Sequence, residues 1–220
     1  AAVEEIVVTA SRTPQNAVQQ TLWKLYDSTA YPANVFNLPV VAYSGEIDGQ
    51  KQAADAMAAA MQEEGLTLEH IIGPKTGHAY EAGARQQIQD RLDAIVAKGR
   101  NPVPREVRFT TWTLRYNRMF WLAIEAMGEH WVRARADATI DGETIAVTTT
   151  NVDALRVEFA AGESPFAVGS RPRLVVDGAS LTLPAVARDG SLRASATKAS
   201  GTWRIGVAAE ALRKAPGLQG

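Results

Sequence analysis

Two short stretches hold the residue types that move protons. "SGEIDGQK" (44–51) carries two carboxylates, Glu46 and Asp48, and "GPKTGHAY" (73–80) carries His78, one of three histidines in the 220-residue chain. A carboxylate that accepts the Nδ1–H of an imidazole holds the tautomer whose Nε2 can take a proton from a hydroxyl nucleophile, and it stabilises the imidazolium that results. Asp48 and His78 are therefore the candidate acid and base. Glu46 is the alternative orienting acid, but at a strand edge its side chain is expected to point away. Glu46, Asp48 and His78 match no strong metal-ligand spacing, so no metal and no cofactor is expected. Lys75 is a possible contact for a substrate anion, and exposed lysines are mostly solvent charges. His70 lies within a strand pattern and His130 precedes Trp131; both read as structural or surface residues.

The elements around these stretches explain how they meet. "LPVVAYSG" (38–45) is a continuous β-rich run without polar alternation, as expected of a parallel strand buried on both faces. In "QKQAADAMAAAMQEEG" (50–65), Ala53, Met57 and Met61 recur at helical spacing and Gly65 supplies a stop. "LTLEHIIG" (66–73) predicts a second strand, and Ile88, Leu92, Ile95 and Val96 form the apolar stripe of a helix ending near Gly99. Strand, helix, strand, helix packs as a right-handed crossover in a parallel sheet, with sites at the carboxyl ends of the strands. Adjacent parallel strands lie about 4.8 Å apart, close enough for their loops to join Asp48 to His78.

The pattern changes near residue 101. "KGRNPVPREV" (98–107) places two prolines where neither helix nor central strand can continue. Beyond it, alternating segments are separated by Asp141-Gly142, Asp177-Gly178 and Asp189-Gly190. The division is an extended segment over 1–19, an α/β part over 20–100 and a β-rich part over 101–220. In the last, "VRFTTWTL", "NRMFWLAIEAMG", "HWVRARADATIDG", "ETIAVTTTNV", "ALRVEFA", "RLVVDG", "ASLTLPAV" and "GTWRIGV" are seven or eight candidate strands of an antiparallel sandwich. "WVRARADATI" sets Val132, Ala134, Ala136 and Ala138 against Arg133, Arg135, Asp137 and Thr139, one face dry and one wet. Trp112, Trp121, Trp131 and Trp203 are core anchors or, alternatively, a ligand platform.

Composition narrows the function classes. Hydrophobic residues make up 46% of the chain and the formal net charge is -1, so a folded protein without a basic field for nucleic acid is expected. The chain has no cysteine, which removes disulfides, thiolate zinc sites and thiol catalysis. No stretch approaches the apolar length of a membrane helix, and the N-terminus lacks a signal-peptide layout.

"PVVAYSGEID", a helix, "LEHIIGPKTGHAY" and a final helix together resemble the carboxyl-terminal third of prolyl oligopeptidase-like serine hydrolases of the α/β-hydrolase superfamily, over about residues 20–100. The resemblance implies a Ser, Asp, His order along the chain, with Asp48 as acid and His78 as base, acyl transfer from a peptide or ester to water, and a periplasmic or secreted setting. The β-rich part resembles the accessory domain of some secreted bacterial members. The pattern's G-x-S-x-G elbow has no match here. Upstream of Asp48 stand only Ser11, Ser28 and Ser44, while "GESPF" around Ser164 and "GASLT" around Ser180 lack the second glycine. The chain is therefore expected to be the carboxyl-terminal part of a hydrolase, inactive alone, whose partner is the missing amino-terminal part of the catalytic domain. The alternative is a non-catalytic binding module that uses the aromatic β-rich part. "VEEIVVTASRTP" (3–14) resembles the N-terminal segment of TonB-dependent receptors, and equally reads as a strand over Ile6–Thr9 followed by a loop. The two helical patterns at 50–64 and 82–98 oppose a receptor barrel.

Overall fold

The computed structural model describes residues 17–207, so the segment resembling receptor N-termini lies outside the described residues. A short helix α1 (Ala17–Trp23) and two 3-10 turns (Ser28–Ala30, Pro32–Asn37) lead into strand β1 (Val41–Gly45). Helix α2 (Lys51–Glu63), strand β2 (Glu69–Gly73) and helix α3 (Ala82–Lys98) follow. β1 and β2 pair in parallel, with Tyr43 opposite Ile71 and Gly45 opposite Gly73. The expected strand, helix, strand, helix unit is thus present.

Local chemistry sets the helix ends. α2 is rich in alanine, the best helix former, and stops where Gly65 takes φ +70°. α3 starts where the Glu81 carboxylate accepts the Ala84 N–H at 2.7 Å, and it ends at Gly99, φ +69°. Two expectations need correction. β1 is not buried on both faces, since Val41, Ala42 and Tyr43 are only half-buried. On α3, Ile88 and Ile95 are half-buried while Leu92 and Val96 are exposed. The physical reason is the same for both: a sheet of two strands gives a helix too little surface to lie across.

The remaining strands form two five-stranded sheets packed face to face, neither closed into a barrel. One has the order β10-β9-β7-β6-β3, from β3 (Glu106–Thr111), β6 (Ala134–Asp141), β7 (Thr144–Thr150), β9 (Arg173–Val176) and β10 (Ala179–Thr182). The other has the order β12-β11-β8-β5-β4, from β4 (Arg118–Met119), β5 (Leu122–Ala126), β8 (Ala154–Phe159), β11 (Leu192–Ala199) and β12 (Thr202–Ile205). All pairs are antiparallel except β7 with β9, which corrects the expectation of a purely antiparallel sandwich. "NRMFWLAIEAMG" is two strands rather than one, because the chain turns at Phe120, φ +51°. β11 was not among the expected strands.

Between the sheets, Trp121 stacks on Phe159 at 5.5 Å and Phe159 meets Phe166 edge-on at 6.0 Å, all three buried. On β6 the alternation holds: Ala134, Ala136 and Ala138 are buried, whereas Val132 precedes the strand and is exposed.

The two parts of the chain are joined along β3, an edge strand. Asn34 takes the place of a neighbouring strand, accepting from Thr110 N at 2.7 Å and donating to Thr110 O at 3.0 Å. Asn37 does the same one step along, donating to Glu106 O at 2.7 Å and accepting from Arg108 N at 3.1 Å. A side-chain amide has one acceptor and one donor group at suitable spacing, so two asparagines satisfy an edge that would otherwise invite another chain. Beside them the Glu64 carboxylate, after the end of α2, binds Arg133 and Arg135. No helix among the described residues is long and apolar enough to cross a membrane.

Candidate active site

β1 and β2 end level with each other, and their outgoing loops stay side by side. Glu46 N donates to Gly73 O at 2.8 Å and Ile47 N to Thr76 O at 3.1 Å. This contact requires glycine at position 45, because a Cβ there would stand 2.1 Å from the Thr76 carbonyl oxygen. The strand pairing thus continues into the loops and sets Asp48 facing His78.

His78 Nδ1 lies 3.0 Å from Asp48 Oδ2. The other carboxylate oxygen accepts Gln50 N at 2.9 Å, where α2 begins. That backbone N–H, then the His78 ring, hold the Asp48 carboxyl below its ordinary value, against a smaller opposing effect of burial. At neutral pH the carboxylate is ionised and can only accept, so the proton of the shared bond sits on Nδ1. In the neutral ring Nε2 is then the acceptor, and it has no hydrogen-bond partner among the described residues. The two side chains differ in access: Asp48 is 11% exposed and His78 77%. A shielded carboxylate behind an accessible imidazole is the arrangement a general base needs.

The other candidates are placed as follows. Glu46 does not reach His78; its Oε2 accepts Lys75 N at 2.7 Å, holding Lys75 at φ +52°. Lys75 itself is exposed. No group of three or more possible ligands suited to a metal ion occurs among the described residues. His130 lies in the sandwich part, with Nε2 buried and unpartnered. Trp121 and Trp203 are buried, while Trp112, which donates to Ala30 O at 2.9 Å, and Trp131 are half-buried, so the four do not line one open platform.

A second array went unnoticed in the sequence. Ser44 Oγ lies 2.9 Å from His70 Nε2, and His70 Nδ1 lies 3.9 Å from Asp55 Oδ1. The order of atoms is that of a serine triad. The surroundings are not: Ser44 is only 6% exposed, the histidine–carboxylate gap exceeds a hydrogen bond, and Asp55 is held by Lys51 through both oxygens at 2.8 Å. This array ties β1, β2 and α2 together, with its serine buried. Ser11 lies outside the described residues, and none of Ser28, Ser44, Ser164 and Ser180 bonds His78. Tyr43 was also missed as a site residue. Nothing in a β-rich run reveals that its hydroxyl crosses to the next loop, where it donates to Ala79 O at 2.8 Å and accepts Glu81 N at 3.0 Å. Comparison with known proteins adds no identity: no family model, no curated protein and no solved structure matches this chain.

Proposed function

We propose that this chain carries the acid and base of a serine hydrolase of the prolyl oligopeptidase-like kind, acting on a peptide or ester, and that the nucleophile comes from polypeptide outside it. The observation that carries the reading is the 3.0 Å contact between Asp48 and the Nδ1 of an exposed His78, on paired loops at the carboxyl ends of parallel strands.

In the reaction, the proton of a serine O–H passes to His78 Nε2 as the oxygen attacks the substrate carbonyl carbon. The imidazolium, its Nδ1–H held by Asp48, then gives that proton to the leaving group, and an acyl-enzyme remains. Water repeats the sequence: His78 takes its proton, its oxygen attacks the acyl carbon, and the proton returns to the departing serine. Backbone donors for the oxyanion belong with the nucleophile. Among the described residues β1 pairs only with β2, and its other edge suits a further parallel strand, as a two-stranded parallel sheet is incomplete by itself.

An active-site fluorophosphonate tests this. The expected result is no labelling of this chain alone, and labelling of the full-length product that His78→Ala abolishes. Full-length protein that stays unlabelled would overturn the reading and favour a binding module.

A further inference from the structure

A base on an exposed loop works only if the loop holds still. Among the described residues His78 has one side-chain partner, Asp48, and the ring is mostly exposed, so its aim depends on the backbone to either side. On the amino-terminal side the chain is fastened by Glu46 at Lys75 N, and by the Ile47 N–H at Thr76 O. On the carboxyl-terminal side, before α3 begins, the Tyr43 hydroxyl serves. Tyr43 Oη donates to Ala79 O and accepts from Glu81 N, at 2.8 and 3.0 Å, bracketing Tyr80, whose ring stacks on that of Tyr43 with centroids 4.8 Å apart. The hydroxyl reaches this point by passing over β2 at Gly73, where a Cβ would stand 2.2 Å from it.

We infer that Tyr43 is a positioning residue for the acid–base pair: its hydroxyl, crossing Gly73 to clasp Ala79 and Glu81, keeps His78 Nδ1 on Asp48. This rests on the reading of Asp48 and His78 as acid and base. Residue 43 lies on β1, whose outgoing loop bears Asp48. The clasp therefore fixes the loop of the base to the strand that delivers the acid, so the two move as one body. Glu46 and Tyr43 are complementary anchors, one on each side of His78.

The test reads the His78 ring in the ¹⁵N-labelled full chain, by long-range proton–nitrogen correlation at a pH where the imidazole is neutral. The native chain is expected to show mainly the Nδ1–H tautomer. Tyr43→Phe keeps the ring on Tyr80 and removes only the hydroxyl. The ratio of Nδ1–H to Nε2–H should fall about three- to tenfold, the scale of one lost hydrogen bond, while amide signals of the sandwich stay in place. Gly73→Ala keeps the hydroxyl but blocks its path, and is expected to act in the same direction. Asp48→Ala separates the two ideas. If Asp48→Ala leaves the tautomer ratio unchanged, the acid–base pair itself fails. If Asp48→Ala abolishes the preference but Tyr43→Phe and Gly73→Ala retain it, the pair stands and the role of Tyr43 is overturned. A residue that only stabilised the fold would lower the melting temperature and leave the tautomer ratio alone.

Discussion

The two halves of this molecule solve the burial problem unequally. The main hydrophobic cluster lies wholly between Val107 and Trp203, sealed by two sheets. In the part before residue 101, the buried hydrophobic residues among those described are Ala33, Met61, Ile71 and Ala84. Yet the candidate chemistry sits in the poorly buried half. The lesson is that the sandwich supplies the stability and the two-stranded unit supplies the geometry, with Asn34, Asn37 and Glu64 as the joints between them.

The contrast breaks most completely if the halves are separated. Residues 1–100 expressed alone are expected to aggregate or to melt without a cooperative transition, since the edge at Val40–Tyr43 and the apolar side of α3 stay uncovered. Circular dichroism on heating checks this, and a sharp, reversible transition would refute it. Next in size is Trp121→Ala, which opens a cavity in the sandwich and should cost about 3–5 kcal/mol in urea unfolding. The same change should leave the Asp48–His78 contact intact, because no core contact of Trp121 touches that loop.

Glu64→Gln sharpens the comparison at the joint. Burial by itself would raise the Glu64 carboxyl, but hydrogen bonds and charge from Arg133 and Arg135 outweigh it and hold the group below the ordinary range of a glutamate. A carboxyl depressed in the folded state contributes stability that is present above its unfolded value and lost as pH falls through the folded one. Native protein should therefore lose stability below about pH 4.5, and Glu64→Gln should be less stable at neutral pH by roughly 1–3 kcal/mol with a flatter acid limb. Stability curves against pH for the two proteins decide it. Smallest is Asn34→Ala, which uncovers Thr110 N and O on the edge of β3 and should cost about 1–2 kcal/mol. Hydrogen exchange at Thr110 should quicken in that variant while β8, at the centre of the opposite sheet, is unchanged.

How much was legible follows from the range of each interaction. α2 and α3 were readable because their stripes and terminal glycines are local. Asp48 and His78 were readable as a pair because strand and loop lengths bring equivalent positions together. β11 was missed because "LRASATKA" alternates with alanine, serine and threonine, residues too small to announce a strand; its Ala194 and Ala196 are buried only because the facing sheet lies close. The hairpin at Phe120 was missed since a left-handed turn at a phenylalanine has no compositional mark. Burial of β1 was overestimated: a β-rich run reports a suitability for burial, and whether neighbours exist to provide it is a separate matter.

By itself the sequence indicated the strand, helix, strand, helix order from Val41 to Lys98 and which carboxylate and imidazole share an end of that sheet, because each depends on periodicity and spacing along a few residues. Tertiary structure alone decided that Glu46 fastens Lys75 instead of the imidazole, that Ser44 and His70 are shut beneath α2, that two asparagines close the edge of β3, and that the Tyr43 hydroxyl clasps the loop of the base. Those contacts join atoms distant in the chain within one hydrogen-bond length, and no pattern in neighbouring residues carries that information.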